Sequence, residues 1–221
     1  MRLPDRVLFI GAHCDDIELI AGGLLVRACF AAVPRVGVLV FSDHRGVLED
    51  GAARQAREEF RANLRWLESE SGRAIEDHTD AMLPACGGAF QSERGLLYAA
   101  MERLRDRYDL VVTHAPTDTN QDHRQVADEA ARVFKAHATL LAGEFPNNDL
   151  GGFTPQVYLE LSPRDLDAKV RMVARYRSQR FGGRPYLDET VVRALATLRG
   201  SQVRAPAAEA FAVSGRAILR L

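Results

Sequence analysis

Apolar runs that each lead through a polar loop into a helical pattern constrain the fold of this 221-residue chain more than any other feature. Val7 to Gly11 is a short apolar run with β-branched character, and after the polar stretch HCDD the segment Glu18 to Phe30 reads as an apolar helix. Val36 to Ser42 (VGVLVFS) reads as a second buried strand, followed by Ala52 to Glu70 with helical spacing at Phe60, Leu64 and Leu67. Leu110 to Thr113 is a third strand, between a helix from about Gly95 to Arg107 and another from about His123 to Lys135. Near-continuous apolar strands alternating with amphipathic helices imply βαβ units. The expected fold is therefore α/β: a Rossmann-like doubly wound, mostly parallel sheet with helices on both faces.

The last third is less regular. Leu140 to Glu144 and Val157 to Leu161 read as strands, and Arg164 to Ser178 and Asp188 to Leu198 as helices. FPNNDLGGFT, from Phe145 to Thr154, and RFGGRPY, from Arg180 to Tyr186, are rich in turn formers and read as surface loops. Neither is long enough to separate domains, and the length suits one core, so residues 1–221 are expected to form a single domain.

Charge narrows the partners. Lys plus Arg number 29 against 30 Asp plus Glu, so no global field recruits nucleic acid or anionic lipid. Cys14, Cys29 and Cys86 lack CxxC spacing and suggest neither a disulfide framework nor a thiolate zinc site. The N-terminal apolar run is too short to span a membrane and lacks a signal-peptide cleavage pattern, so a cytoplasmic protein without a membrane partner is expected. A homo-oligomer is compatible with the sequence.

Two polar clusters, HCDD and HAPTDTNQDH, directly follow predicted strands. In open α/β sheets ligands bind outside the carboxyl ends of the strands. Hydrolytic zinc is commonly held by three His or carboxylate ligands with one position left for water. His13 and Asp16, at i and i+3 in a turn after a strand, supply two ligands, His123 supplies a third, and Asp15 projects differently and stays free as a base. Blander readings stand beside this one: an Asp-Asp pair after a strand caps a helix, and a lone His at a helix start is a surface residue. Two such clusters at two strand ends make coincidence the weaker explanation.

GAHCDDIELIAGG, Gly11 to Gly23, resembles the AHPDDxE motif of the LmbE-like, or PIG-L, N-acetylglucosaminyl deacetylases, and HAPTDTNQDH, His114 to His123, is similar to their second motif. KVRMVARYRSQ, Lys169 to Gln179, and AEAF, Ala208 to Phe211, are similar to the family's weaker C-terminal landmarks. The resemblance implies a Rossmann-like fold and hydrolysis of N-acyl groups on glucosamine-containing substrates with zinc or another divalent metal. It assigns His13, Asp16 and His123 as metal ligands, Asp15 as the general base, and Asp122 as a carboxylate that orients an imidazole.

Two positions depart from the family pattern. Cys14 stands where proline is usual, which loosens the turn without removing a ligand. Asn120 stands where many members have a histidine that stabilises the oxyanion or protonates the leaving amine; an amide donates to an oxyanion but delivers no proton. Asn120 is then an oxyanion donor or simply a helix cap. His44, in the loop after the second strand, is a further candidate, and His114 is a supporting residue behind the ligands or simply buried. Arg45 is a candidate for substrate hydroxyls or a phosphate, ahead of Arg54 and Arg57, and Asn147 and Asn148 sit in a loop near the expected pocket.

The expected activity is zinc-dependent removal of the N-acetyl group from a small amino sugar, glycoside or sugar nucleotide. The alternatives are an amidase on a non-sugar or thiol conjugate and a non-catalytic sugar- or nucleotide-binding module, the last without support from a GxGxxG loop.

Overall fold

The computed structural model describes residues 3–79, 89–180 and 183–218. Its strands are β1 (Arg6–His13), β2 (Arg35–Ser42), β3 (Glu76–Asp77), β4 (Leu110–His114), β5 (Thr139–Gly143), β6 (Val157–Glu160) and β7 (Ala208–Val213). They form one sheet in the order β3-β2-β1-β4-β5-β7-β6. The first five run parallel. β7 is antiparallel to β5, and β6 to β7. The doubly wound α/β sheet expected from the sequence is thus present, extended at one edge by an antiparallel pair.

Side-chain alternation explains the unbroken apolar runs. Val7 and Phe9 of β1, Val36, Val38 and Val40 of β2, and Leu110 and Val112 of β4 enter the core on one face. Leu8 and Ile10, Leu39 and Phe41, and Val111 enter the core on the other. Both faces are dry, so neither set of positions tolerates a polar residue, and each fully buried large side chain contributes about 1.5–3 kcal/mol.

Seven α-helices connect these strands among the described residues: α1 (Asp16–Phe30), α2 (Asp50–Ser71), α3 (Ala89–Ser92), α4 (Arg94–Glu102), α5 (Gln121–Phe134), α6 (Pro163–Ala174) and α7 (Glu189–Ser201). The helices expected from Gly95 and Arg164 therefore stop earlier than the apolar pattern suggests, at Glu102 and Ala174. α1 is buried almost all round, being packed between the sheet and α6. Its backbone breaks at Ala21 (φ −151°), which exposes the N–H groups of a new helical start. Glu209 of β7 accepts from Gly23 N and Leu24 N, both at 2.7 Å, and Lys169 of α6 donates to Glu209 Oε1 at 2.7 Å and to Leu19 O at 2.9 Å. Gly23 is required there, because an added Cβ would lie 2.5 Å from Leu161 Cδ2. These contacts give Lys169 and Glu209, in the two C-terminal landmarks, a physical purpose: they repair the break in α1 with charge on helical N–H groups.

Cys14 and Cys29 are buried free thiols, and Cys86 lies outside the described residues, as do Phe181 and Gly182 of the second glycine-rich loop. No helix among the described residues is long and apolar enough to cross a membrane.

Candidate active site

The sheet order reverses direction between β1 and β4, the switch point where doubly wound folds bind ligands. His13 ends β1, His114 ends β4, and His44 follows β2. Asp15 and Asp16 form the turn into α1, while His123 lies in the first turn of α5. One strand-end surface thereby gathers residues that are up to 110 positions apart in the chain.

His13 Nδ1 stands 3.3 Å from His123 Nε2 and 3.4 Å from Asp16 Oδ2, and His123 Nε2 is 3.4 Å from Asp16 Oδ1. All three residues are buried. The opposite nitrogen of each imidazole meets a carboxylate: His13 Nε2 is 3.3 Å from Asp122 Oδ2, and His123 Nδ1 is 2.8 Å from Asp118 Oδ2. These carboxylates keep a proton on the outer nitrogens and turn the inner lone pairs toward Asp16. Converging lone pairs on two imidazoles and a carboxylate suit a divalent ion such as zinc. The His13 and His123 planes cross at 51°, so their lone pairs are able to meet at one centre.

His114, Asp118 and His123 also bring ligand-type atoms together. The His114 and His123 rings, however, stack at 3.9 Å with planes only 17° apart, so their in-plane lone pairs run nearly parallel. That trio is poorly disposed to share an ion. His114 Nε2 instead lies 3.0 Å from Asp16 Oδ2, behind the carboxylate. Burial and the nearby His123 lower the His114 pKa, which favours a neutral ring.

The adjoining acids are driven apart. Asp16 is buried, but His123, His114 and His13 outweigh that burial and hold its carboxyl well below the ordinary range. Burial and the proximity of Asp16 push Asp15 upward, and Asp15 Oδ1 is buried without a hydrogen-bond partner. Asp15 occupies the N-cap position of α1 yet makes no side-chain cap bond, so the capping alternative does not describe its carboxylate. A desolvated carboxylate with raised proton affinity beside a ligand cluster has the character of a base.

Asn120 does cap a helix. Its Oδ1 accepts from Asp122 N at 2.9 Å and His123 N at 3.4 Å, while its own N–H donates to Asp118 Oδ1 at 2.8 Å. With the oxygen so engaged, Nδ2 is the end left to donate. Asn120 lines a cleft of 400 Å³ together with His13, Asp15, Asp16, His44 and His123. A further compartment of 390 Å³ shares His13, His44 and Asn120 with it. His44 stacks on His13 with ring centroids 4.0 Å apart, and burial lowers its pKa well below the usual value, favouring a neutral ring. Asn147 and Asn148 line the first compartment, and Asn148 Nδ2 is 3.5 Å from His123 Nδ1. Arg45 lines neither compartment; its guanidinium is 3.3 Å from Asp43 Oδ2, and Arg57 donates to the same oxygen at 2.7 Å.

Several contributors are not evident in the sequence. Asp118 lies in the second cluster but in no regular element, so nothing local marks it as the partner of His123. Phe145 and Tyr186, whose rings meet edge to face at 5.5 Å, form an aromatic wall of the cleft, and Arg184 lines both compartments. Behind the first motif, the Tyr176 hydroxyl lies 2.5 Å from Cys14 O and 2.8 Å from Glu18 Oε1, with one proton to serve the two, and Asn63 donates to the same Glu18 oxygen at 2.9 Å. Burial pushes Glu18 up to about 7 despite those bonds.

Comparison with known proteins agrees with this architecture. The PIG-L family model, described as GlcNAc-PI de-N-acetylase, matches residues 8–134 of the 221, including both polar clusters. The chain belongs to the PIG-L, or LmbE-like, family. No curated protein matches the sequence. Among solved structures, the conserved protein TT1542 from Thermus thermophilus is 22% identical, with a TM-score of 0.72 over 99% of this chain and 98% of that one. An N,N'-diacetylchitobiose deacetylase from Pyrococcus horikoshii is 16% identical, with a TM-score of 0.70 over 95% of this chain and 84% of that one. The 4-carboxy-2-hydroxymuconate hydratase GalB from Pseudomonas putida is 17% identical, with a TM-score of 0.66 over 98% of this chain and 99% of that one.

Proposed function

We propose that this protein is a metal-dependent N-deacetylase that hydrolyses the acetamide of a small amino sugar, glycoside or sugar nucleotide, with His13, Asp16 and His123 as ligands. The observation that carries the reading is the pairing of a converging His-Asp-His set with a buried, unpartnered Asp15 oxygen in the same cleft. Zinc, when bound, supplies Lewis acidity toward an acyl oxygen and toward water. Asp15 takes the proton of the attacking water and returns it to the departing nitrogen, because its raised proton affinity suits both directions. Asn120 Nδ2 donates to the oxyanion that forms as water adds. Phe145 and Tyr186 offer aromatic faces to a sugar ring. Asp122, Asp118 and His114 position the ligands.

The likeness of the fold to a hydratase means that fold alone does not choose the reaction, and the family match together with the position of Asp15 favours the amide. The zinc-reconstituted protein is to be offered N-acetylglucosamine, N,N'-diacetylchitobiose and a sugar nucleotide bearing N-acetylglucosamine. Equal amounts of acetate and free amine from one of them are expected. Turnover of non-sugar acetamides alone would transfer the assignment to an amidase.

A further inference from the structure

Tyr176 is fully buried just after α6 and reaches back to the turn that carries the two acids of the cleft. Its hydroxyl touches that turn on both sides: Cys14 O, at 2.5 Å, immediately precedes Asp15, and Glu18 Oε1, at 2.8 Å, follows Asp16. One side chain from a distant element thereby closes a ring around Asp15 and Asp16. The ring is braced from α2. Asn63 Nδ2 donates to Glu18 Oε1 at 2.9 Å and to Met172 O at 3.1 Å, and Arg175 donates to Asn63 Oδ1 at 3.2 Å and to Ala62 O at 3.1 Å. Glu18, Asn63 and Tyr176 are all 0% exposed, so bulk water does not replace a partner that is lost. Burial and the neighbouring Glu18 raise the Tyr176 pKa well above its ordinary value, so the hydroxyl keeps its proton.

Asp15 and Asp16 depend on this ring to different degrees. Asp16 has its own anchors: Oδ2 accepts from His13 N at 2.7 Å and lies 3.0 Å from His114 Nε2. Asp15 makes no side-chain cap bond, and its Oδ1 is buried without a partner, so the backbone of the turn sets where its carboxylate points. Cys14 O and Asp15 N belong to one planar peptide unit, and fixing the carbonyl fixes that plane.

We propose that Tyr176 is a positioning residue for Asp15: its hydroxyl clamps the Cys14–Asp15 peptide and so aims the base at the attacking water, while other contacts hold the ligands. The inference rests on the deacetylase reading, in which Asp15 is the base. A misplacement of about 1 Å is enough to cost roughly 10²-fold in rate, so a clamp outside the cleft has a kinetic signature.

Tyr176→Phe deletes only the hydroxyl. In the zinc-loaded protein it is expected to lower kcat by about 10–100-fold, with KM and zinc content near the wild-type values. Loss of stability alone does not give the second signature: in an Asp15→Asn background the same substitution should lower kcat by less than about threefold further, because the group it positions is already gone. Asp165→Asn, destabilised away from the cleft, should keep its kcat. If Tyr176→Phe does not fold, Asn63→Ala, which removes the brace, is read in the same way. A loss in kcat below about threefold, a loss carried by KM, or a loss repeated in full in Asp15→Asn overturns the proposal. If no substrate yields acetate, the deacetylase reading fails, and crystal structures of the wild type and Tyr176→Phe decide the clamp separately. An Asp15 carboxylate displaced by about 1 Å, or split between two positions, sustains the clamp, and superimposable Asp15 carboxylates overturn it.

Discussion

Asp118 Oδ2 stands 2.8 Å from Nδ1 of His123, so the imidazole proposed as the last ligand is fixed by a carboxylate five residues before it. Burial of the His123 ring works against its charge, but Asp16 and Asp118 outweigh that burial and raise the imidazole to about 9. Asp118→Asn removes the charge while keeping the shape. Metal affinity is expected to fall by roughly 10–100-fold, the effect typical of such orienting groups, with the number of sites unchanged. Titration against a chromophoric chelator measures it, and an unaltered Kd would show that Asp118 does not position the ligand.

Asp15→Asn is expected to retain zinc and the fold but lose about 10²–10⁴-fold in kcat, since the amide is nearly isosteric and cannot accept the proton of water. Zinc content and kcat of the same preparation check it. Near-wild-type turnover would transfer the role of base to another group.

Asn120 has separable duties at its two ends. Its Oδ1 caps α5, so Asn120→Ala is expected to cost about 1 kcal/mol of stability, and Asn120→Asp, an equally good cap, to restore most of it. If Nδ2 donates to the oxyanion, both variants lose about 10²–10³-fold in kcat, because neither supplies the amide donor. Denaturant unfolding and kcat measured together distinguish the duties, and full activity in Asn120→Asp would leave only the cap.

The repair of the break in α1 predicts a large stability effect remote from the chemistry. Glu209→Ala leaves Lys169 buried beside two uncapped N–H groups, and a loss of about 3–5 kcal/mol is expected by denaturant unfolding. Lys169→Met/Glu209→Gln should be less damaging than Glu209→Ala, because no charge is then buried alone. A loss within about 0.5 kcal/mol, the size of an ordinary surface substitution, would contradict this account of the break.

Asp165 provides the pH dependence. It is buried, but hydrogen bonds from Arg27 and from Ser162 outweigh that burial and hold its carboxyl below the ordinary value. The folded pKa lies below the unfolded one, so the stabilisation is complete above the unfolded carboxylate pKa of about 3.9 and is lost as pH falls through the folded pKa. Asp165→Asn should therefore melt well below the wild type at pH 7, with the gap closing in strong acid. A gap that does not change with pH would mean that the carboxylate charge is not what stabilises.

The strands that build the site were legible because β1, β2 and β4 are buried on both faces and so read as continuous apolar runs. β3 was not, since Glu76 and Asp77 are two acidic residues at the sheet edge whose pairing depends on β2. β7 is equally illegible as a strand: in AEAFAV the charged Glu209 points inward to α1, against the rule that buried strand positions are apolar. At the site, His13, Asp15, Asp16 and His123 stood out because each lies next to a strand end in a dense polar cluster. Arg184 and Tyr186 belong to a loop about 170 positions from Asp15, and only the tertiary fold reveals that they share its cleft.

If water deprotonated by Asp15 at a site held by His13, Asp16 and His123 cleaves an acetamide, hydrolysis in ¹⁸O-labelled water leaves its mark on the product. With the zinc-loaded protein and its best N-acetyl sugar, one labelled oxygen is expected in each acetate released, with one free amine per acetate. Removing the metal with a chelator should stop the release, and returning zinc should restore it. Acetate production at an unchanged rate in a folded His13→Ala/His123→Ala variant that binds no zinc would contradict this mechanism.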